Sequence, residues 1–202
     1  MAKSAKTEVF VVENAILSFP HLFQPQQVMN QGEAKYSAAL LLPEAAAQLI
    51  MGKAQEIANQ AFTNGEPQLG NFRWPVNPAK QNKNYVNNPR LSNLYVLNAK
   101  AHADYPPQIV DENRQTVMDR GKIYAGCVVA AGINLYTYNN MGNIGIGVGL
   151  SAIMKTADGE ALGGGAVDPN SLFGGVQAQA TSQGEATTAS PNGMPMPPFM
   201  NS

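Results

Sequence analysis

Apolar residues along this chain come in three rhythms, and each predicts a different element. Residues 8–19, EVFVVENAILSF, carry Val, Ile and Phe at strand density and predict one strand or two short ones. The following PHLFQPQQVMNQGEA reads as a loop in which Phe19, His21 and Phe23 pack a turn around Pro20. KYSAALLLP, 35–43, is a short apolar run bounded by Gly32 and Pro43, which predicts a buried strand. The rhythm then changes to 3.6. In 44–63, Leu49, Ile50, Ala54, Ile57, Ala61 and Phe62 fall near one helical face. Pro43 suits the start of that helix, where a missing N–H costs nothing, and Glu44 favours the positive end of its dipole. Asn64-Gly65 followed by Pro67 is a stop signal. LYVLNAKA, 94–101, predicts another strand, and YPPQIVDENRQTVMD a proline pair followed by a turn at Asp111-Glu112-Asn113.

Strict alternation dominates the last ordered stretch. Residues 123–138 (IYAGCVVAAGINLYTY), a turn NNMGN and the return IGIGVGLSAIMK predict a long hairpin. Ile123, Cys127, Val129, Ile133 and Leu135 share one face; Tyr124, Val128, Asn134, Tyr136 and Tyr138 share the other. On the return strand Ile144, Ile146, Val148, Leu150, Ala152 and Met154 form one face. Gly145, Gly147, Gly149 and Ser151 leave the opposite face bare, a pattern that marks a bulge or close approach by another group. With five to seven strands and one helix, the chain predicts a mainly β fold, a small barrel or a sandwich. Residues 1–7 are expected to be a flexible N-terminus and 8–156 the domain. Residues 157–174 read as a Gly-rich extension. The Gly-, Pro-, Ser- and Met-rich 175–202 are too poor in buriable surface to offset their ordering entropy, so a disordered tail is expected there.

Composition then narrows the chemistry. The 202 residues are 44% hydrophobic and 13% charged, with a formal net charge of −1, so global charge points to no partner. The distribution does. Between Pro67 and Ala103 stand Arg73, Lys80, Lys83, Arg90 and Lys100, with no Asp or Glu. The heart of this window, FRWPVNPAKQNKNYVNNPR (72–90), has neither helical nor strand periodicity and interleaves its cations with Phe72, Trp74 and Tyr85. Cations spaced along a groove neutralise phosphates, and flat rings stack unpaired bases, so the loop predicts part of a single-strand groove. The bland alternative is a solvated connector whose aromatics pack on the domain. Tyr136 and Tyr138, two apart on one strand face, add two platforms about 6–7 Å apart, unless they serve ordinary sheet packing. Lys35, at a strand start, is a further candidate for phosphate.

Other chemistry is thinly supported. Cys127 is the only cysteine and reads as a small buried hydrophobe; His21 and His102 are the only histidines. No Walker loop, H-E-x-x-H or G-x-S-x-G is present, so no enzyme, cofactor or metal is expected. Asp104, Asp111, Glu112 and Asp119 leave a Mg²⁺-dependent nuclease as a minor alternative. The N-terminal MAKSAKTEVFVV lacks the apolar core of a signal peptide, and no membrane association is expected.

ILSFPHLFQPQ, KYSAALLLP, the helix, YPPQIVD, IYAGCVVAAGINLYTYNN and GIGVGLSAIMKTADGEALGGG, in that order over about residues 8–173, resemble a family of bacteriophage single-stranded DNA-binding proteins. The resemblance implies an OB-like five-stranded barrel with an inserted helix. It also implies a non-catalytic role in protecting single-stranded DNA during phage replication and recombination, in the cytoplasm of an infected bacterial host. Phage or host replication proteins would then be partners of the C-terminal tail. Many single-strand binders recruit partners with an acidic tail tipped by an aromatic; here Phe199 stands in PMPPFMNS without the acidic run. A phage structural or adaptor protein with a β core and flexible tail is the competing reading. A strand-annealing factor is a third.

Overall fold

The computed structural model describes residues 4–28, 31–63, 65–68, 70–140 and 142–162; the Gly-rich extension beyond 162 and the tail lie outside them. Among the described residues, seven strands and one α-helix make up the fold: β1 (Phe10–Val28), β2 (Gln31–Leu42), α1 (Glu44–Ala61), β3 (Val76–Pro78), β4 (Tyr95–His102), β5 (Gln108–Val110), β6 (Val128–Asn140) and β7 (Asn143–Ala157). The strand order is β3-β4-β2-β1-β6-β7-β5, and a further β4–β7 pairing, Lys100 opposite Gly149, closes β4, β2, β1, β6 and β7 into a ring. Five strands in a ring match the OB-like architecture that the resemblance implied; β3 and β5 are three-residue additions at its margins.

β1 is longer than its apolar pattern. Its pairing with β2 runs through PHLFQPQQV, read above as a loop, because irregularities between Ser18 and His21 and between His21 and Gln26 take up Pro20 and Pro25. Prolines are tolerated where a strand has already broken register. Phe23 is half-buried against the core, whereas Phe19 adopts φ 46° and is largely exposed. Residues 5–7, expected to be outside the domain, extend the β1 side of β6. The Thr7 N–H donates to the Leu135 carbonyl at 2.9 Å and the Thr137 N–H to the Ala5 carbonyl at 2.9 Å.

Helix α1 begins after Pro43 and buries Ala47, Ile50, Ala54, Ile57, Ala58 and Ala61. Leu49, placed above on the apolar face, is 56% exposed, since it lies about 100° around the helix from the fully buried Ile50. The helix packs on β3, β6 and β7.

β6 begins at Val128, not at Ile123. Residues 120–122 form a short 3₁₀ turn, and Gly126 sits at φ 115° beneath the 158–162 segment, so the chain cannot be extended there. From Val129 on, the expected faces hold: Val129, Ala131, Ile133 and Leu135 are buried. On β7, Ile144, Ile146, Val148 and Leu150 are buried, but the next core residue is Ile153, not Ala152. Ile133 pairs with Leu150 and Gly132 with Ala152, leaving Ser151 as an extra residue that turns the following side chains over.

Candidate nucleic-acid interface

The loop after α1 is stitched to the sheet rather than loose. The Arg73 N–H donates to the Ile144 carbonyl at 3.0 Å, and the Ile146 N–H to the Arg73 carbonyl at 2.9 Å, a parallel bridge onto β7. Phe72 turns inward, 8% exposed, with its ring edge-on to Phe62 at 5.3 Å. Trp74 lies against Phe72 at 4.8 Å and is half-buried at the surface. Alternation along β4 turns Leu97, Ala99 and Ala101 into the main core and exposes Asn98, Lys100 and His102 on the opposite face, where Val96 is covered by a second apolar cluster.

These elements surround an open hollow of about 540 Å³. It is lined by the cations Arg73 and Lys100 and by the aromatic residues Phe72, Trp74, Tyr136 and Tyr138. Asn77 and Asn98 complete one side and also line a second hollow that holds Lys83. Among the described residues, Arg73, Lys80, Lys83, Lys100 and Lys35 make no ion pair; the pairs are Arg90–Glu160, His102 with Glu33 and Asp104, and Lys155–Asp158. Both hollows are free of acidic lining residues.

The glycine face of β7 is covered, not bare. Tyr138 pairs across the sheet with Gly145, Tyr136 with Gly147 and Asn134 with Gly149, and each side chain lies over its glycine. Tyr136 remains 39% exposed; its burial, and secondarily the neighbouring Tyr138, raise its phenol pKa.

Arg73, Trp74, Lys100, Tyr136 and Tyr138 are thus brought together from separate parts of the chain. Four expected site residues stand elsewhere. Tyr85 is 3% exposed in a second apolar cluster with Leu41, Ala79, Leu91 and Val96, and donates to Ser18 Oγ at 3.1 Å. Arg90 is held by Glu160. Lys80, on a 3₁₀ turn, and Lys35, opposite His102, are exposed but line neither hollow. Two of the acids considered for a metal, Asp111 and Asp119, organise turns, and Asp104 pairs with His102. Asp111 Oδ1 accepts from the Asn113 and Gln115 N–H groups, and Asp119 Oδ1 from the Gly121 N–H at 2.8 Å. Asn77 and Asn98 were not singled out from sequence; the outward alternation Asn98-x-Lys100 was the available signal.

Residues 7–185 match the model of the family described as Enterobacter phage Enc34, ssDNA-binding protein. Protein p50 of Acyrthosiphon pisum secondary endosymbiont phage 1 is 31% identical over 171 residues, covering 77% of this chain and 87% of that protein. Two solved structures share the fold. The single-stranded DNA-binding protein of bacteriophage Enc34, in complex with ssDNA, has a TM-score of 0.61 at 22% identity over 76% of this chain and 88% of its own. The single-stranded DNA-binding protein gp2.5 of bacteriophage T7 has a TM-score of 0.52 at 13% identity, over 93% and 100%. The family match spans most of the sequence and the ring of strands agrees with it: the chain belongs to the family of the Enterobacter phage Enc34 ssDNA-binding protein.

Proposed function

We propose that this protein binds and protects single-stranded DNA during phage replication and recombination, reversibly and without catalysis. The observation that carries the reading is the hollow where Arg73 and Lys100, free of carboxylate partners, stand beside Trp74, Tyr136 and Tyr138. Arg73 and Lys100 neutralise phosphates, and Lys83 continues the line past Asn77 and Asn98. The three rings stack bases. In a duplex the base faces are already stacked, so this site favours single strands. Such a protein works in the cytoplasm of the infected host.

A gel-shift series on single-stranded and duplex oligonucleotides across salt tests this. Single strands are retarded and duplex is not, and affinity falls with salt at roughly −0.7 in log–log slope per phosphate neutralised. The double variant Arg73→Ala/Lys100→Ala lowers the slope by about 1.4 and leaves the melting temperature unchanged. Equal binding of duplex, or none of either, rejects the reading; defined assemblies without nucleic-acid affinity would favour an adaptor.

A further inference from the structure

Three glycines on β7 face three polar or aromatic side chains on β6, and the fit is close enough to be a device. A Cβ built on Gly147 would stand 2.4 Å from Tyr136 Cζ and 2.7 Å from its hydroxyl oxygen. One on Gly149 would stand 2.3 Å from Asn134 Oδ1. One on Gly145 would meet the Arg73 carbonyl at 2.4 Å and the Tyr138 hydroxyl at 3.0 Å. Carbon and oxygen do not approach so closely, so each outer side chain occupies space that any residue but glycine would fill. Backbone conformation does not demand glycine here, because none of the three has positive φ. A glycine inside a strand is otherwise a cost, roughly 0.5–1 kcal/mol against alanine. The compensation is the position of the ring. Tyr136 lies down against the sheet, and its remaining surface lines the hollow beside Trp74 and Lys100.

We infer that Gly147 is a positioning residue for single-strand binding: by leaving room for Tyr136 to lie flat on β7, it sets the height and tilt of a base-stacking platform. This rests on the function proposed above. Gly145 combines two duties, since its missing Cβ also admits the Arg73 bridge, and Gly149 seats Asn134 at the margin. Gly147 is the separable case, because what a Cβ would strike there is the far end of a side chain that can swing away.

The test is a double-mutant cycle of Gly147→Ala and Tyr136→Ala, with oligo(dT) affinity, thermal melting and the Tyr136 phenol titration as readouts. Tyr136→Ala weakens binding about 5- to 150-fold, the range of one stacked base. Gly147→Ala weakens it at least about fivefold, melts no lower than the parent, and moves the Tyr136 pKa down toward the ordinary phenol value as the ring lifts into water. With Tyr136 already removed, Gly147→Ala adds no further loss, because no ring remains to displace. The inference is overturned if Gly147→Ala binds as the parent does. It is equally overturned if the loss is the same with and without Tyr136, which would mean that DNA touches the Gly147 backbone itself. An unmoved Tyr136 titration in Gly147→Ala overturns it without reference to DNA. A parent protein that binds no single strands fails the functional reading instead, a separate result.

Discussion

Trp74 and Tyr85 belong to one loop, and sequence gives them the same description: an aromatic among asparagines and cations. Their surroundings separate them. Trp74 rests on Phe72 at the wall of the hollow; Tyr85 is enclosed, with its hydroxyl donated to Ser18. The partner that decides the matter lies 67 residues away, so local pattern could not reveal it. Tyr85→Phe is expected to cost about 1 kcal/mol in stability, the worth of one hydrogen bond, and to leave single-strand affinity unchanged; urea denaturation and a gel shift check this. The phenol also makes a signed pH prediction. Burial raises the Tyr85 pKa above its ordinary 10.0, and the bond to Ser18 opposes that only in part. The contribution is therefore complete below the unfolded value and is lost as pH rises through the folded one. As pH rises above about 10, the urea midpoint of Tyr85→Phe should fall less steeply than that of the parent.

At the scale of elements, long regular patterns were legible and short or broken ones were not. The buried face of β6 follows directly from its period of two, and α1 from its period of 3.6. The bulge at Ser151 was invisible, because one added residue changes the facing of everything after it without changing composition. β3 and β5, three residues each, are too short to show any period. The start of β6 depends on a crossing that no local signal announces. The Leu162 N–H donates to the Ala125 carbonyl at 2.7 Å, the Tyr124 hydroxyl to the Gly159 carbonyl at 3.0 Å, and a Cβ on Gly126 would lie 2.1 Å from the Glu160 carbonyl oxygen. Both the positive φ and the overlying backbone require glycine. Gly126→Ala should destabilise the fold by roughly 2–4 kcal/mol, read as a lowered urea midpoint, and detach residues 158–162, read as faster amide exchange of Leu162.

For the whole molecule, the proposed function rests on the ring bringing distant residues to one place. Arg73 and Trp74 come from the loop, Asn98 and Lys100 from β4, Tyr136 and Tyr138 from β6, and Gly147 from β7. The acid-free window identified the cations but not which would face the hollow. Arg90 has the same local credentials as Arg73, yet it meets Glu160 from 70 residues further along the chain. What composition could show was that phosphate and bases are the kind of ligand to look for; which side chains line one hollow is set by closure of the sheet. Trp74 is the chain's single tryptophan, so it reports on this hollow alone. The most direct measurement is a fluorescence titration of the full-length protein with oligo(dT) at low salt, using duplex DNA as the control. Saturable quenching of Trp74 by the single strand, reversed by salt and absent with duplex, is the predicted result. Single-strand binding that leaves Trp74 fluorescence unchanged would place the strand elsewhere on the protein and contradict the site proposed here.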